Sequence, residues 1–562
     1  MKRLLLFCLL VPLSAGAQFL YDGAPAPRPF SGTPSVTGDF RFAVAADRTG
    51  GERPEVFRRG LERIREYGPD FIVSVGDLID GYTTDRAHAN RQWDEFLSLS
   101  GRFGMPFFYV PGNHDYSNRE LARIWEERFG RSYYSFRIGT ALFLMLNSEE
   151  LLDDGRVGIS DRQADYFSSV LSEAAGEGPV FVVMHSPLWF SDSDPNYRRI
   201  EQLLLPRRNV MVFSGHTHRY YHADKHGWPH YNLATMGGDS RMRGISMGEF
   251  DHFLIVDVRR GEVGVRNISV DGRVIPLDAV DERSRIPVGQ LAGEQWLQVI
   301  PSVSGEETVG SLGTDLVLTN SSDVPLQVSF EAPALPGGRF EPSGFTREVG
   351  GGCSDTIPLK IVFDTRRAID SLDPIIVTCR GSYRISGREV AASAGKRWFT
   401  DCIRTCGEKP RVWLVDDPFE VLEAWDWHST DDGKFRFGLS RSAGRIFLRI
   451  ETEDDRVITD GDPQQLQDRL IVLFTPEGGV TRRIGLTAGS QIDDGCRACC
   501  RVTETGLEAE LSFAAEGIWR FNLNIGFVDC DSRLNTKPSQ LWWRPLQMHA
   551  NGTADYGTFI MD

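Results

Sequence analysis

Histidine is scarce in the second half of this chain, and cysteine is missing from most of the first. Nine of the 11 histidines fall between His88 and His252, while every cysteine except Cys8 lies between Cys353 and Cys530. A metal site in the front half must therefore use nitrogen and oxygen donors, because no thiolate is at hand. Positive charge is also short, with 62 Lys and Arg against 78 Asp and Glu and a net charge of -16. That balance disfavours a nucleic-acid backbone or an anionic membrane as the general partner. A small phosphorylated substrate stays compatible, since a bound metal reverses the sign of the local field. Past the first residues no run approaches about 18 apolar residues, so no transmembrane anchor is expected. Internal repeats and low-complexity tracts are lacking too.

At 562 residues the chain is too long for one core, and several domains are expected. Met1-Lys2-Arg3, the apolar stretch Leu4 to Pro12 and the Ala15-Gly16-Ala17 cleavage site read as a signal peptide over 1–17. An exported protein follows, whether periplasmic, cell-surface or secreted. No Cys follows the cut, which argues against a lipid anchor. Export and the eight cysteines left after cleavage predict disulfides. Zinc is the other reading for Cys496-x-x-Cys499-Cys500 with Cys402 and Cys406.

Residues 18–38, rich in Pro and Gly, read as a leader without structure of its own. From Phe40 an apolar run repeatedly ends on a polar residue: Asp47, then Asp77, then Gly112-Asn113-His114-Asp115, then His185, then Gly215-His216-Thr217-His218. Ligands of α/β sheets gather at the carboxyl ends of strands, so five such endings describe a site. Helices are expected between them. Glu55 to Tyr67 sets Val56, Phe57, Leu61 and Ile64 on one face, and Ser117-x-x-Glu120 and Ser160-x-x-Gln163 read as capping boxes. The alternation of strand and helix over 39–285 is the α/β signature. Short strands with Gly, Ser and Pro turns over 290–400 suggest an immunoglobulin-like β-sandwich. A stapled linker and a second all-β sandwich over 408–562 follow.

In type and order the five front blocks resemble the calcineurin-like metallophosphoesterase family, over about residues 38 to 270. The resemblance implies an α/β sandwich of two sheets flanked by helices. It also implies two divalent or trivalent transition-metal ions (manganese, iron or zinc) with a hydroxide bridging them, and hydrolysis of a phosphate mono- or diester. Carried over residue by residue, Asp77 would bridge the metals. Asn113, His185 and His216 would complete the second site, and Asp47 and His218 the first. His114 would stabilise the transition state or protonate the leaving group, and Asp115 would orient its imidazole. Arg48 is a candidate for forking onto the substrate phosphate.

One block departs from the pattern. The family's Asp-x-His is here Asp47-Arg48-Thr49, which costs the first site an imidazole. Purple acid phosphatases also lack that His and use a Tyr three residues past the bridging Asp; here that position is Asp80, with Tyr82 two further on. Asp80 is either a substitute ligand or a solvated turn residue. His222, His226 and His230 read as rim or packing residues, and Met236 to Ser240 as a Gly-hinged mobile loop.

The last region resembles family 9 carbohydrate-binding modules and related DOMON-like sandwiches, through Trp425, Ile446 to Ile450, Glu453-Asp454-Asp455, Gln467 to Leu470, Phe521 to Phe527 and Leu541 to Arg544. The resemblance implies a glycan or cell-surface polymer as partner. Trp425, Trp427, Trp542 and Trp543 are candidates for stacking on sugar, or else fill the core. The acidic run Glu453 to Asp462 reads as a solvated loop or a calcium loop. The competing reading of the whole chain is a surface glycan-binding protein with a catalytically degenerate phosphoesterase scaffold.

Overall fold

The apolar runs of the front half form short strands buried on both faces, as their unbroken Val, Phe, Ile and Ala content requires. The computed structural model describes residues 18–20, 34, 36, 38–151, 155–174, 178–191, 193–418, 420–422, 432–460, 467–493, 495–531, 538–544, 546 and 557–561. The expected signal peptide, Trp425, Trp427 and Asp462 lie outside them. The chain divides into two compact units, 1–292 with 385–390, and 293–384 with 391–562. No described helix is long and apolar enough to cross a membrane.

Among the described residues the front unit holds two mixed sheets. Its strands are β1 (Gln18–Leu20), β2 (Phe40–Ala45), β3 (Phe71–Ser74), β4 (Phe107–Tyr109), β5 (Tyr134–Ile138), β6 (Ala141–Met145), β7 (Val180–Val183), β8 (Val210–Ser214), β9 (Tyr221–Lys225), β10 (Trp228–Asn232), β11 (His252–Arg259), β12 (Glu262–Ser269) and β13 (Val274–Ile275). One sheet runs β13-β12-β11-β2-β3-β4 and the other β1-β5-β6-β7-β8-β10-β9. Each contains a parallel run, β2 to β4 in the first and β6 to β8 with β10 in the second. Phe42 of the first sheet meets Phe143 and Phe181 of the second edge-on, with centroids 5.3 and 5.0 Å apart. The core between the sheets is therefore largely aromatic.

Helices α1 (Val56–Glu66) and α2 (Arg86–Gly101) make the crossovers from β2 to β3 and from β3 to β4. α1 buries Phe57, Leu61 and Ile64 as its spacing predicts. α3 (Arg119–Phe129) starts one residue later than the Ser117 box: Asn118 is the cap, and its side chain accepts from the Glu120 and Leu121 amides. α4 (Asp161–Glu173) is capped by Ser160. Gln163 does not return to the cap; its amide instead bonds both backbone groups of Asn147.

One expectation for irregular chain is corrected here. Gln18–Leu20 is not free leader but an edge strand antiparallel to β5, where it satisfies backbone groups the edge would otherwise expose. Tyr220 to Tyr231 is largely the β9–β10 hairpin.

Among the described residues the regular elements of the second unit are almost all strands. Toward its beginning, Leu297–Val299, Thr308–Thr319, Ser354–Ala368 and Gly338–Glu341 join in a sheet, and Gly344–Val349, Leu326–Glu331, Ile375–Ile385 and Arg388–Trp398 join in another. Its final region packs two further sheets face to face, with Phe474 stacked on Phe513 at 4.2 Å.

Trp542 and Trp543 are not exposed platforms. Trp542 lies over Gly526, where a Cβ would come within 2.8 Å of the indole, and Trp543 packs edge-on against Phe437. The expected disulfides are likewise not seen among the described residues. Cys496 and Cys500 point inward from one strand, four residues and so about 13 Å apart, beyond disulfide reach. Cys499 between them faces the other way. No three cysteines stand close enough for one zinc ion among the described residues.

Candidate metal centre

The five polar blocks converge at the carboxyl edge of the two sheets. Asp47 follows β2, Asp77 follows β3, Asn113 to Asp115 follow β4, His185 follows β7, and His216 and His218 follow β8. Three of these residues hold left-handed backbone, Asp77 at φ 54°, His216 at 72° and His218 at 51°. Each costs on the order of 1–3 kcal/mol, a strain typical of functional turns.

The rings of His185 and His218 are turned the same way. His185 Nδ1 donates to the Val75 carbonyl at 2.9 Å, which leaves Nε2 facing Asp77 Oδ2 at 3.3 Å and Asn113 Oδ1 at 2.9 Å. His218 Nδ1 donates to the Asp239 carbonyl at 2.6 Å, which leaves Nε2 facing Asp47 Oδ2 at 3.4 Å. His216 Nδ1 stands 2.7 Å from the same Asn113 Oδ1 and 3.3 Å from His185 Nε2. Imidazole lone pairs and carboxylate oxygens thus face one another and need a proton or a cation between them. Metal-ligating histidines are held in this manner by a carbonyl on the far nitrogen. Asp47 Oδ1 is buried with no hydrogen-bond partner, which suits a carboxylate oxygen that takes a cation. Ligand atoms of Asp47, Asp77 and His218 lie within 4.8 Å of one another. Asp47, Asp77 and His218 therefore make a candidate metal site.

That arrangement of donors on strand ends is what the comparisons with known proteins bear on. Residues 40–220 match the model of the calcineurin-like phosphoesterase family. Serine/threonine-protein phosphatase CPPED1 of Rattus norvegicus is 31% identical over 189 residues, 30% of this chain and 60% of that protein. The chain spans less than two thirds of the length of the curated relatives it matches. Among solved structures, a dimetal phosphatase from Danio rerio aligns with 42% of this chain and 100% of its own, at TM-score 0.30 and 16% identity. A family 9 carbohydrate-binding module from Caldicellulosiruptor kristjanssonii, in complex with cellotriose, aligns with 28% of this chain and 92% of its own, at TM-score 0.23 and 8% identity.

The charges of the cluster compete. Burial pushes the Asp47 carboxyl up to about 6, against the pull of His185 and His218. Burial also acts to raise Asp77, but His185 and His114 outweigh it and hold that carboxyl below the usual range. For His185, burial is overcome by Asp77 and the ring is pushed up to about 10. His216, buried beside His185, is pushed down to about 4.

Two expected roles are corrected by the geometry. Arg48 does not reach the cleft: its guanidinium donates to the Leu78 carbonyl, Glu52 and Glu95 and lies over the rings of Phe57 and Phe96. Asp115 does not orient His114. Its carboxylate accepts the amides of Leu78, Ile79 and Gly112, pinning the turn after β3 to the turn after β4. Burial and the neighbouring Asp77 push the Asp115 carboxyl up to about 7. The Asp80 carbonyl takes the His114 Nδ1 proton at 2.6 Å, while the Asp80 side chain accepts from the Thr49 hydroxyl.

The stretch Met236 to Ser240 is tied down. Met236 and Gly238 amides donate to the Asp47 carbonyl, and the Asp239 amide donates to Gly50. His222 stacks on Tyr231, His226 meets Trp228 and His230 packs beside Trp189, all as packing groups.

Two further residues serve the cleft without a signal in residue type alone. Tyr82 accepts the Asn113 Nδ2 proton at 2.9 Å and stands edge-on to His114. Gly50, at φ 84°, leaves a slot where a Cβ would come 2.9 Å from His218 Cε1 and 3.2 Å from His114 Nε2.

Proposed function

We propose that the chain is an exported metal-dependent phosphoesterase that hydrolyses a phosphate mono- or diester at the strand ends of its front unit. Asp47, Asp77 and His218 would hold one ion, and Asp77, Asn113, His185 and His216 the other; manganese, iron and zinc all suit these donors. The observation that carries the reading is the matched orientation of His185 and His218, each giving Nδ1 to a carbonyl and turning Nε2 toward a carboxylate. Bound there, such a pair of ions neutralises phosphate oxygens and supplies a nucleophile near neutral pH.

The chain's own residues do the rest. His114 gives Nδ1 to the Asp80 carbonyl and lies beside His218, where its ring would pass a proton to the leaving oxygen. Tyr82 keeps the Asn113 carbonyl oxygen aimed at the two imidazoles. The relatives named as serine/threonine-protein phosphatases make phosphorylated Ser or Thr one substrate class to try first. Export rests on Met1-Lys2-Arg3 and Ala15-Gly16-Ala17.

The test is hydrolysis of an aryl phosphate monoester and diester by the full chain with manganese, beside Asp77→Asn. Turnover lost in the variant supports a metal-dependent hydrolase; turnover equal in both sinks it. A glycan-binding protein with a lapsed phosphoesterase scaffold keeps one observation, Thr49 at the expected imidazole position. Metal content separates the two, since a scaffold need not retain ions.

A further inference from the structure

Two segments leave the candidate metal centre from a single hydrogen bond, the one that His218 Nδ1 gives to the Asp239 carbonyl at 2.6 Å. One continues directly into Arg219, and the other passes Asp239 and reaches Arg243. They meet again where the Tyr220 amide donates to the Gly248 carbonyl at 2.7 Å. Arg219, Arg243 and Glu249 are the charged side chains that act on one another within this ring.

The three do not balance. Glu249 is buried, and both of its oxygens are spent on Arg243. Oε2 accepts from the Arg243 amide at 3.2 Å and from its Nε at 2.9 Å, and Oε1 accepts from Nη2 at 2.6 Å. Reciprocal backbone bonds between Gly244 and Glu249 brace that pair. Arg243 Nη1 is nevertheless buried without a partner, so the trio is short of acceptors.

Arg219 is the cation left over. Its carbonyl accepts from the side chain of the buried Asn232 at 2.9 Å, which fixes the residue in place. Its guanidinium is half-buried and donates to no described residue. Burial works against its charge, Glu249 favours it and Arg243 opposes it. Two guanidiniums thus share one carboxylate, and a positive charge stays uncompensated in a chain of net charge -16. Partly desolvating a cation without a partner is costly, and a bound anion relieves that cost.

We propose that Arg219 receives a second oxyanion of the substrate, so that the preferred phosphoesters carry a carboxylate or a further phosphate near the scissile group. A guanidinium presents a planar fork of donors that fits either oxyanion. Arg219 directly follows His218, and neighbouring Cα atoms stand about 3.8 Å apart, which keeps both anionic groups within the span of one small molecule. The subsite role rests on the phosphoesterase reading, whereas the affinity of Arg219 for an oxyanion does not.

The test compares three aryl esters on the full chain with manganese: meta-carbamoylphenyl phosphate, meta-carboxyphenyl phosphate and meta-phenylene bisphosphate. Wild type should favour one or both charged esters over the neutral one in kcat/KM by about tenfold or more, and the one favoured more identifies the oxyanion. Arg219→Gln should abolish the preference, and Arg219→Lys, which keeps the charge and loses the fork, should retain only part of it. A second arm needs no turnover: sulfate titrated calorimetrically into chelator-stripped protein should bind wild type and Asp77→Asn but not Arg219→Gln. Where the esters are hydrolysed, the absence of a preference in wild type, or its survival in Arg219→Gln, overturns the proposal. Where none is hydrolysed, sulfate decides: binding to wild type alone of that pair keeps the oxyanion site while the phosphoesterase reading fails, and equal behaviour of wild type and Arg219→Gln sinks the site itself.

Discussion

The Asn113 amide donates from Nδ2 to the Tyr82 hydroxyl at 2.9 Å, and that bond decides which end of the amide meets His185 and His216. An unanchored amide can rotate and present hydrogen atoms where the metal reading needs an oxygen. Tyr82→Phe removes the anchor and keeps the ring that stands against His114. Loss of such an outer partner typically costs about 10–100-fold in metal affinity or activity. We expect kcat and manganese affinity to fall together within that range; titration calorimetry and steady-state rates check it. Unchanged values for both would remove Tyr82 from the support of the site.

The two metal positions should differ in affinity. One draws on Asp47, Asp77 and His218, while Thr49, where a further imidazole is expected, spends its hydroxyl on Asp80. The other has Asn113, His185 and His216 around Asp77. Manganese added to stripped protein should therefore bind in two resolvable steps, the tighter at the second position, with turnover following the weaker step. Two equal tight sites would sink this expectation.

The convergence of these polar residues was legible in the sequence because each stands where an apolar run stops, and a strand's end aims its next residues over the sheet edge. Orientation was not legible. Asp47 and Arg48 are neighbours, but extended chain sends successive side chains to opposite sides, so one faces the cleft and the other sits between Phe57 and Phe96. Asp115 looks like a partner for His114 in the sequence, yet the folded chain offers it three backbone amides first. Tyr82 and Gly50 carried no signal of residue type, because their value lies in one hydroxyl position and one absent methyl group. In the second unit, alternation revealed strands but not which tryptophans face inward.

Stability of the front unit should fall between neutral pH and pH 4 because of His252. Its Nε2 accepts from the Ala234 amide at 2.9 Å, so the proton of the neutral ring sits on Nδ1 and goes to Asn267 Oδ1 at 2.6 Å. A second proton would set one N–H against another. Burial accordingly pushes the ring from 6.5 down to about 4. The unfolded chain binds the proton first, so the contribution is complete above pH 6.5 and is lost as pH falls toward 4. The loss by pH 5 is about 2 kcal/mol for this residue. Denaturant melts in chelator at pH 7 and pH 5 should show it, and His252→Gln should be less stable at pH 7 with a shallower fall. An equal fall in both proteins would mean that other groups carry the pH dependence.

The start of α3 separates two adjacent residues that look interchangeable in the sequence. Ser117 and Asn118 both suit a helix cap, and Ser117 has the Glu three residues on that marks a capping box. Asn118 nevertheless holds the position, with Oδ1 accepting from the Glu120 and Leu121 amides at 3.0 Å each. Its Nδ2 also donates to the Thr83 carbonyl at 3.2 Å, which ties the helix to the residue after Tyr82. Asn118→Ala should cost about 1 kcal/mol for the cap and loosen the segment that anchors the Asn113 amide. Ser117→Ala should stay within about 0.5 kcal/mol, as ordinary surface changes do. Chemical denaturation of both variants, read beside their manganese affinity, checks the assignment: only Asn118→Ala should weaken both, because only Asn118 links the helix to the Tyr82 turn.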